Sequence, residues 1–475
     1  MSKLLTFVTE PQQQPSVETV EQRKHDFNEI YAPFDPKQAA VQASRCSQCG
    51  VPFCQIHCPL SNNIPDWLKL TAEGRLEEAY EVSSATNTFP EICGRICPQD
   101  KLCEGNCVIE KGFESVTIGA VEKYITETAF EMGWVKPPKP AQENGLSVGI
   151  IGAGPAGLAA ADILRRKGYA VHIYDRHDRV GGLLIYGIPN FKLEKQVVER
   201  RRKLLEDAEI TFHLNFNVGK DATLQELQRQ HSAVLIATGV YKAREIEIPD
   251  MSLSGIFPAL DYLIASNRVC LGDKVDAYES GVLNAAGKHV VVIGGGDTAM
   301  DCVRTAVRQG AKKVSCLYRR DRINMPGSAR EVMNAEEEGV EFIWLSAPKA
   351  FAGTKKLEKI LGYKMRLGAP DASGRHAPII IEDSQFTLKA DMAIKALGFD
   401  AEDLPTAFGA PELVLSRHGT LAVDNATQMT SLLGVFAAGD IVRGASLVVW
   451  AIKDGRDAAH YMDKWIKAQQ KEMAA

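Results

Sequence analysis

The sequence predicts an α/β protein in which two Rossmann-like dinucleotide-binding domains follow a mainly helical, cysteine-rich domain. Two observations predict the nucleotide-binding part. An apolar strand pattern runs into a glycine-rich turn at Gly152, and the same pattern recurs about 140 residues later at Gly294. A third observation predicts the separate domain, because eight of the 11 cysteines lie between Cys46 and Cys107.

Length and composition narrow the class of protein. A chain of 475 residues has room for about three domains of ordinary size. With 45% hydrophobic and 24% charged residues, the composition excludes a disordered or wholly membrane-embedded chain. The net charge of -5 provides no overall basic field, so we expect no nucleic-acid partner. We also expect no membrane partner and a cytoplasmic location, because the amino terminus lacks an apolar signal segment and glycines interrupt the longest apolar stretch.

The chain divides at a proline-rich stretch over residues 137–145. We predict a helical domain over residues 1–140, with helix-like periodicity over residues 64–82. We predict a first nucleotide-binding domain from residues 146–285 plus 420–475, and a second from residues 286–419.

The first glycine turn has every part of a dinucleotide site in order. An apolar strand precedes Gly152-x-Gly154-x-Ala156-Gly157, and a helix pattern and a second strand ending at Asp175 follow. The glycines permit a tight turn and a close approach of pyrophosphate, while the helix N-terminus offers free N–H groups to phosphate. The carboxylate of Asp175 can accept hydrogen bonds from a ribose.

The second turn is a variant that favours a different dinucleotide. Its strand ends at Arg319 and Arg320, where the first unit has Asp175. A guanidinium suits a 2′-phosphate, so we expect NADPH rather than NADH to bind here. The alternative is that Arg319, Arg320 and Arg322 form a solvated run of charge. The candidate residues of this unit are Gly294, Gly296, Asp297, Thr298, Arg319 and Arg320.

Two further segments extend the resemblance to a known class. An Ala-Thr-Gly segment at 237–239 and an Ala-Gly-Asp segment at 438–440 make the chain similar to two-dinucleotide flavoproteins of the glutathione reductase superfamily. That resemblance implies FAD at the first site, Asp440 near the flavin ribitol, and a helix after Gly444 whose N-terminus faces the flavin ring. A turn or N-cap role is the alternative for Asp440. The additional FAD candidates are Gly182, Leu183, Gly239, Gly439 and Asp440.

The cysteines form two groups of four. The first is Cys46-x2-Cys49-x4-Cys54-x3-Cys58, and the second is Cys93-x3-Cys97-x5-Cys103-x3-Cys107. Eight thiols in two quartets match two 4Fe-4S clusters, and the Cys-Pro endings at Pro59 and Pro98 are ferredoxin-like. Zinc is the alternative, although its sites usually combine two separated cysteine pairs. A disulfide scaffold is disfavoured in a reducing compartment.

With the Tyr-Gly-Ile-Pro-Asn-Phe-Lys-Leu segment at 186–193, the whole chain resembles the small (beta) subunits of NADPH-dependent glutamate synthases. A similar module forms the amino-terminal part of dihydropyrimidine dehydrogenase. The resemblance implies that ligands cross between the two cysteine groups. One cluster would take Cys46, Cys49, Cys54 and Cys107, and the other Cys58, Cys97 and Cys103 with either Glu122 or Cys93 as fourth ligand.

The same resemblance implies an NADPH-dependent oxidoreductase with FAD, NADPH and two 4Fe-4S clusters. Electrons would pass to a separate large (alpha) subunit that contains FMN and makes L-glutamate from L-glutamine and 2-oxoglutarate. An electron-input subunit of an enzyme like dihydropyrimidine dehydrogenase is the alternative. Hydride transfer needs positioning rather than a general base, so no catalytic residue is assigned.

Two other functional classes share parts of this pattern. A disulfide reductase like thioredoxin reductase needs a Cys-x-x-Cys pair beside the flavin, and residues 294–302 contain none. A zinc-held interaction domain would give a protein without iron. The three remaining cysteines are expected to be apolar packing residues, with Cys302 on a helix and Cys316 in a strand, and Cys270 the third.

Overall fold

The computed structural model describes residues 4–371, 374 and 376–474. The amino-terminal part is helical and begins with a 3-10 turn at Thr6–Val8. Its helices are α1 (Val20–Arg23), α2 (Pro36–Ser44), α3 (Phe53–Ile56), α4 (Ile64–Ala72), α5 (Leu76–Thr86), α6 (Pro90–Ile96), α7 (Glu110–Phe113) and α8 (Ile118–Glu131).

Local sequence accounts for these helix ends. A capping box between Asp35 and Gln38 starts α2. The periodic stretch 64–82 folds as two helices, α4 and α5, because Gly74 between them adopts a left-handed φ of 80°. Trp67 on α4 is fully buried, and its indole N–H donates to Asn62 Oδ1 at 3.0 Å. The small domain therefore has a core of its own, against which the cysteines pack.

The first α/β unit is a parallel sheet with strand order β15-β4-β1-β2-β3. Helices α9 and α19 pack against each other, so closely that a Cβ on Gly455 would lie 2.0 Å from the Ala156 carbonyl oxygen. The elements are β1 (Ser147–Ile151), α9 (Pro155–Arg166), β2 (Ala170–Tyr174), α10 (Leu183–Tyr186), α11 (Lys195–Glu206), β3 (Thr211–His213), α12 (Leu224–Gln230), β4 (Ala233–Ile236), β15 (Val435–Ala437), α18 (Asp440–Arg443) and α19 (Val448–Ala474).

The second α/β unit repeats this plan with strand order β6-β13-β7-β8-β9. Between its strands the chain forms an antiparallel sheet of β10, β11 and β12, and β5 pairs with β14. The elements are β5 (Lys242–Ala243), β6 (Ile256–Pro258), α13 (Ala259–Cys270), α14 (Asp276–Glu279), β7 (His289–Ile293), α15 (Asp297–Arg308), β8 (Lys313–Leu317), α16 (Ala329–Glu337), β9 (Glu341–Ile343), β10 (Ser346–Ala352), β11 (Lys359–Pro370), β12 (His376–Lys389), β13 (Met392–Lys395) and β14 (Phe399–Asp400). The short helix α17 (Leu404–Ala407) follows and packs against the first sheet.

The predicted domain limits of 1–140, 146–285 plus 420–475, and 286–419 stay predictions, and two segments lie on the other side of them. Strand β6 pairs with β13 and so belongs to the second sheet. Leu404 and Phe408 pack in the same core as Ile151 and Tyr174 of the first sheet. The chain thus enters and leaves the second sheet earlier than its turn signals indicate.

Two of the three isolated cysteines behave as expected. Cys302 on α15 and Cys316 in β8 are fully buried. The expectation for Cys270 is wrong, because it ends α13 and its residue is exposed. In the described residues, no helix is both long enough and apolar enough to cross a membrane.

Candidate cofactor sites

The first glycine turn joins β1 to α9. Gly152 has a left-handed φ of 112°, and a Cβ there would lie 2.4 Å from the Ala237 carbonyl oxygen of the neighbouring chain segment. A Cβ on Gly157 would lie 2.0 Å from the Gly152 carbonyl oxygen, whereas one on Gly154 would meet nothing within 4 Å. Two of the glycines are therefore required by packing, and the third leaves open space at the start of the helix, where a phosphate can approach.

A cavity beside this turn fits the nucleoside part of a dinucleotide. Asp175 in its wall accepts hydrogen bonds from the backbone N–H groups of Ala153 at 2.7 Å and His177 at 2.8 Å. The hydroxyl of Thr238, also in the wall, is buried without a hydrogen-bond partner in the described part of the chain. An oriented carboxylate and an unsatisfied hydroxyl are groups that a bound ribose would satisfy.

The other FAD candidates meet at the same turn. A Cβ on Gly182, which precedes Leu183 at the start of α10, would lie 2.9 Å from Gly154 Cα. A Cβ on Gly439 would lie 2.9 Å from Ala156 Cβ. Gly239 adjoins Thr238 and has a left-handed φ of 70°. The structure thus gathers segments from residues 152–157, 182–183, 238–239 and 439–440 around one turn.

Asp440 opens the short helix α18. Its Oδ1 accepts a hydrogen bond from the Ser446 hydroxyl at 2.6 Å, and burial raises the pKa of its carboxyl. The long helix α19 begins at Val448, so a helix does follow Gly444 as predicted. Its direction toward a flavin ring stays a prediction.

The second glycine turn borders a large cavity of about 910 Å³. A Cβ on Gly294 would lie 2.2 Å from the Ala396 carbonyl oxygen, whereas one on Gly296 would meet nothing within 4 Å. The cavity extends from this turn and Thr298 to the segment 442–445, which follows Asp440. One continuous space therefore joins the second glycine turn to the segment that follows Asp440.

Arg319 and Arg320 lie in the wall of this cavity, next to the turn. Arg320 is 7% exposed and its Nε donates to the His376 carbonyl oxygen at 2.8 Å. That burial argues against a fully solvated run of charge for this residue. Asp297 makes a structural hydrogen bond within this unit, because its Oδ1 accepts the backbone N–H of Ser328 at 2.9 Å.

The eight clustered cysteines surround two small cavities, and the division crosses the two sequence groups. The first cavity is lined by Cys46, Cys49, Cys54 and Cys107. The second is lined by Cys58, Cys93, Cys97 and Cys103, together with Glu122. Ile118, the first residue of α8, borders both cavities. Each quartet surrounds a space, as a cluster of several irons requires.

The environment of these thiols suits a cationic group. Burial raises the pKa of Cys54 to about 12 and that of Cys58 to about 11. The pKa of the Cys103 thiol is raised well above its ordinary value, chiefly by burial and then by the Glu104 carboxylate. Thiolates at these positions therefore need compensating positive charge, which cluster irons supply.

Glu122 and Cys93 share the second cavity. Burial raises the pKa of Glu122 to about 8, and its Oε1 accepts a hydrogen bond from Asn87 Nδ2 at 3.1 Å. Cys93 Sγ lies 3.7 Å from Asn87 Oδ1 and donates to it. Both side chains are within the wall, so position alone leaves both as candidate ligands.

The two cavities differ in their surroundings. Val449 of α19 lines the second, and Cys93 belongs to the same core as Ala156 of α9. The exposed side chains of Phe53 and Val108 line the first cavity, and Val51 and Ile56, close to Phe53 in the sequence, are also exposed. These four residues are called the apolar patch. One quartet thus adjoins the first nucleotide-binding unit, and the other adjoins the surface.

Several residues of these sites were not predicted. Thr238 belongs to a recognised Ala-Thr-Gly segment, whose pattern could have indicated it. Arg443 at the far end of the large cavity pairs with Asp454 at 2.6 Å, and no pattern marks it in the sequence.

Comparison with known proteins identifies the two parts of the chain. Residues 23–134 match the family model described as dihydropyrimidine dehydrogenase domain II, 4Fe-4S cluster. Residues 146–455 match the pyridine nucleotide-disulphide oxidoreductase model. The chain is therefore an oxidoreductase with 4Fe-4S, FAD and NADPH as cofactors. The prediction of these cofactors is confirmed, and the zinc alternative is wrong.

Similar chains extend over nearly the full length. The glutamate synthase [NADPH] small chain of Azospirillum brasilense is 66% identical over 98% of this chain and 97% of its own. The protein of that name from Escherichia coli is 46% identical over 94% of this chain and 95% of its own. The E. coli putative oxidoreductase AegA is 44% identical over 95% of this chain and 69% of its own.

Solved structures resemble the α/β part. FprA from Mycobacterium tuberculosis in complex with NADPH has a TM-score of 0.59 at 20% identity, covering 69% of this chain and 86% of its own. Lactococcus lactis thioredoxin reductase has a TM-score of 0.52 at 20% identity, covering 68% of this chain and 99% of its own. At this identity the likeness concerns the fold alone. The predicted fold class is confirmed.

Proposed function

Because the chain belongs to the family of glutamate synthase [NADPH] small chains, we propose that it is the electron-input subunit of a glutamate synthase. In this proposal the chain oxidises NADPH and delivers electrons to a separate large subunit that contains FMN and makes L-glutamate from L-glutamine and 2-oxoglutarate. The observation that carries it is the order of the sites. The large cavity runs from the second turn to the segment after Asp440, one cysteine quartet adjoins the first nucleotide-binding unit, and the other adjoins the surface.

The residues divide among the cofactors as follows. The turn from Gly152 to Gly157, with Asp175, would hold the pyrophosphate and ribose of FAD, and Asp440 would hold its ribitol region. The turn from Gly294 to Thr298 would hold the pyrophosphate of NADPH. Arg319 and Arg320 would hold its 2′-phosphate. Two quartets would hold the clusters, with Glu122 rather than Cys93 completing the second.

We favour Glu122 because its carboxyl group is buried. Burial raises its pKa, the Asn87 amide lowers it, and the Glu91 carboxylate raises it further. Of these, only the amide favours the charged form. A cluster iron beside the carboxylate would provide the missing positive charge. Cys93 already has a hydrogen-bond acceptor in Asn87, so it can remain a neutral thiol.

In the reaction, the chain itself positions the two dinucleotides and encloses the cysteine quartets. FAD, when bound, accepts two electrons as a hydride and can release them singly to 4Fe-4S clusters. The protein supplies a preorganised pocket for each dinucleotide, and the large cavity leads from the second turn to the segment after Asp440. Cys93 and Glu122 in the wall of the second quartet are buried, whereas Cys97 and Cys103 are partly exposed.

The apolar patch of Val51, Phe53, Ile56 and Val108 is the proposed contact for the large subunit. Exposed apolar patches mark protein interaction sites, and two members of this one, Phe53 and Val108, line the cavity of the first quartet. A partner that covered the patch would bring its own redox centre close to that quartet. We also propose a cytoplasmic location, where the thiols of an unloaded quartet remain reduced.

Copurification tests the partner. The full chain should retain a large FMN-containing glutaminase from native extract, and Ile56→Asp should weaken that retention while leaving NADPH oxidation with an artificial acceptor intact. Leu433→Asp is the matched control, because Leu433 is also exposed but lies away from the cysteines. Retention of a pyrimidine-reducing partner would instead favour the alternative enzyme, and equal retention by both variants would refute the role of the patch.

A further inference from the structure

One loop of the NADPH unit is held by the iron–sulfur domain. Lys101 Nζ donates to the Gly327 carbonyl oxygen at 2.8 Å and also to the Pro326 carbonyl oxygen. Asp100 Oδ1 accepts the Ser328 hydroxyl at 3.2 Å, and its Oδ2 accepts the Ala329 backbone N–H at 3.1 Å. Both residues lie in the short segment between Cys97 and Cys103 of the second quartet.

The same loop contacts the second glycine turn from its other side. The Gly327 N–H donates to the Gly295 carbonyl oxygen at 3.0 Å, and the Ser328 N–H donates to Asp297 Oδ1 at 2.9 Å. Pro326 itself lines the large cavity. The loop therefore lies between the cluster-bearing segment and the turn assigned to the NADPH pyrophosphate.

The loop depends on the other domain for part of its hydrogen bonding. Ser328 precedes α16 but makes no capping bond with its own side chain. The first N–H of that helix, at Ala329, is satisfied by Asp100, and a carboxylate is favourable at a helix N-terminus. The next residue of the helix makes a further contact, from Arg330 Nη2 to buried Glu104 Oε2 at 3.3 Å.

From these contacts we propose that Asp100 and Lys101 are positioning residues for NADPH, so that the iron–sulfur domain completes the dinucleotide site. They hold the loop 326–329 against Gly295 and Asp297 before the ligand arrives, which lowers the ordering cost of binding. Neither residue touches the dinucleotide in this proposal. It rests on the proposed function, because it takes the turn at 294–298 as the NADPH site.

The expected effect is on affinity rather than on turnover. In the cofactor-loaded full chain, Asp100→Asn and Lys101→Met should each raise the KM for NADPH about tenfold, the size expected when a charged hydrogen-bonding partner is lost. The kcat with ferricyanide should stay within about twofold, because the reacting groups are not moved once NADPH is bound. The inhibition constant of NADP+ should rise in parallel.

The controls separate positioning from damage to the cluster. Asp66→Asn and Lys69→Met alter exposed residues on α4 and should change neither constant. Iron and flavin content should equal that of the unaltered chain, and Asp100→Glu should recover part of the affinity. An unchanged KM in both variants would overturn the proposal, as would a rise in KM that only matches a loss of iron.

A further variant distinguishes failure of the positioning role from failure of the NADPH-site assignment. Thr298→Val alters the turn itself and should raise the KM for NADPH. If Thr298→Val weakens NADPH binding while Asp100→Asn and Lys101→Met do not, the positioning role is refuted and the NADPH site stands. If none of the three does, the site assignment fails and the positioning role fails with it.

Discussion

Lys192 and Asp301 form a buried ion pair between the two nucleotide-binding units, with Nζ 2.8 Å from Oδ1. Lys192 lies ten residues after Gly182, and Asp301 lies on α15, the helix that begins at the second glycine turn. Phe191 beside it lies under the guanidinium of Arg308, 3.9 Å from ring centroid to Cζ. The pair thus fixes the segment after the first site against the helix of the second.

We expect Lys192→Met to destabilise the chain by about 3 kcal/mol of unfolding free energy, because it leaves a buried carboxylate without its main partner. Lys203→Met is the matched control, since Lys203 pairs with Asp207 in an exposed position and should cost about 0–1 kcal/mol. Chemical denaturation of the cofactor-loaded chain measures both. Equal stability of the two variants would contradict the importance of the buried pair.

A cluster of histidines predicts how stability depends on pH. His231 Nε2 is hydrogen-bonded to the Tyr174 hydroxyl at 2.9 Å, and its Nδ1 to the Ser147 hydroxyl at 3.0 Å. Burial, together with His172 and His213, lowers the pKa of His231 to about 4. The unfolded chain binds this proton below its ordinary pKa of about 6.5, whereas the folded chain resists it until about pH 4. Folded stability should therefore fall as the pH drops from 6.5 towards 4.

His231→Gln should flatten that fall, because glutamine does not titrate in this window. The measurement is the thermal unfolding midpoint of the two proteins at pH 7 and pH 5. His172 and His213, which lie 3.1 Å apart between Nδ1 and Nε2, remain in the variant and should preserve a smaller dependence. Parallel decreases in both proteins would refute the assignment to His231.

The arginines at the end of β8 set the expected coenzyme preference. The double variant Arg319→Ala, Arg320→Ala should lower the ratio of kcat/KM for NADPH to that for NADH by at least about 100-fold, since charged contacts to a phosphate are worth about 1.5–3 kcal/mol each. Arg322→Ala is the control, because Arg322 pairs with Glu336 on the surface. An unchanged ratio in the double variant would exclude these residues as the 2′-phosphate site.

The fourth ligand of the second quartet is open to a direct metal count. We expect Cys93→Ala to retain about eight irons per chain and Glu122→Ala to lose those of one cluster. Iron analysis and the electron paramagnetic resonance signal of the reduced protein check this. Loss of the second cluster in Cys93→Ala but not in Glu122→Ala would exclude Glu122.

The parts of the site that depend on local backbone geometry could be predicted from the sequence. Gly152 and Gly294 are such cases, because a Cβ at either position would collide with the neighbouring segment. The sequence pattern by itself could not predict that Cys107 joins the first quartet and Cys58 the second. Spacing alone groups neighbours along the chain, so that division came from family resemblance.

Contacts between distant segments could not be predicted. Asp100 and Ser328 are ordinary polar residues separated by more than two hundred positions, and nothing in their local sequence indicates that they meet. The same holds for Lys192 and Asp301. Cys270 was mispredicted because composition favours buried cysteines, whereas the end of α13 leaves this one at the surface.

The most direct test of the proposed division of labour is glutamate formation by the purified, cofactor-loaded chain. Supplied with NADPH, L-glutamine and 2-oxoglutarate, the chain alone should reduce an artificial acceptor but form no L-glutamate. Addition of the large FMN-containing subunit should start glutamate formation in step with NADPH oxidation. Glutamate production by the single chain, or none after the large subunit is added, would contradict the account.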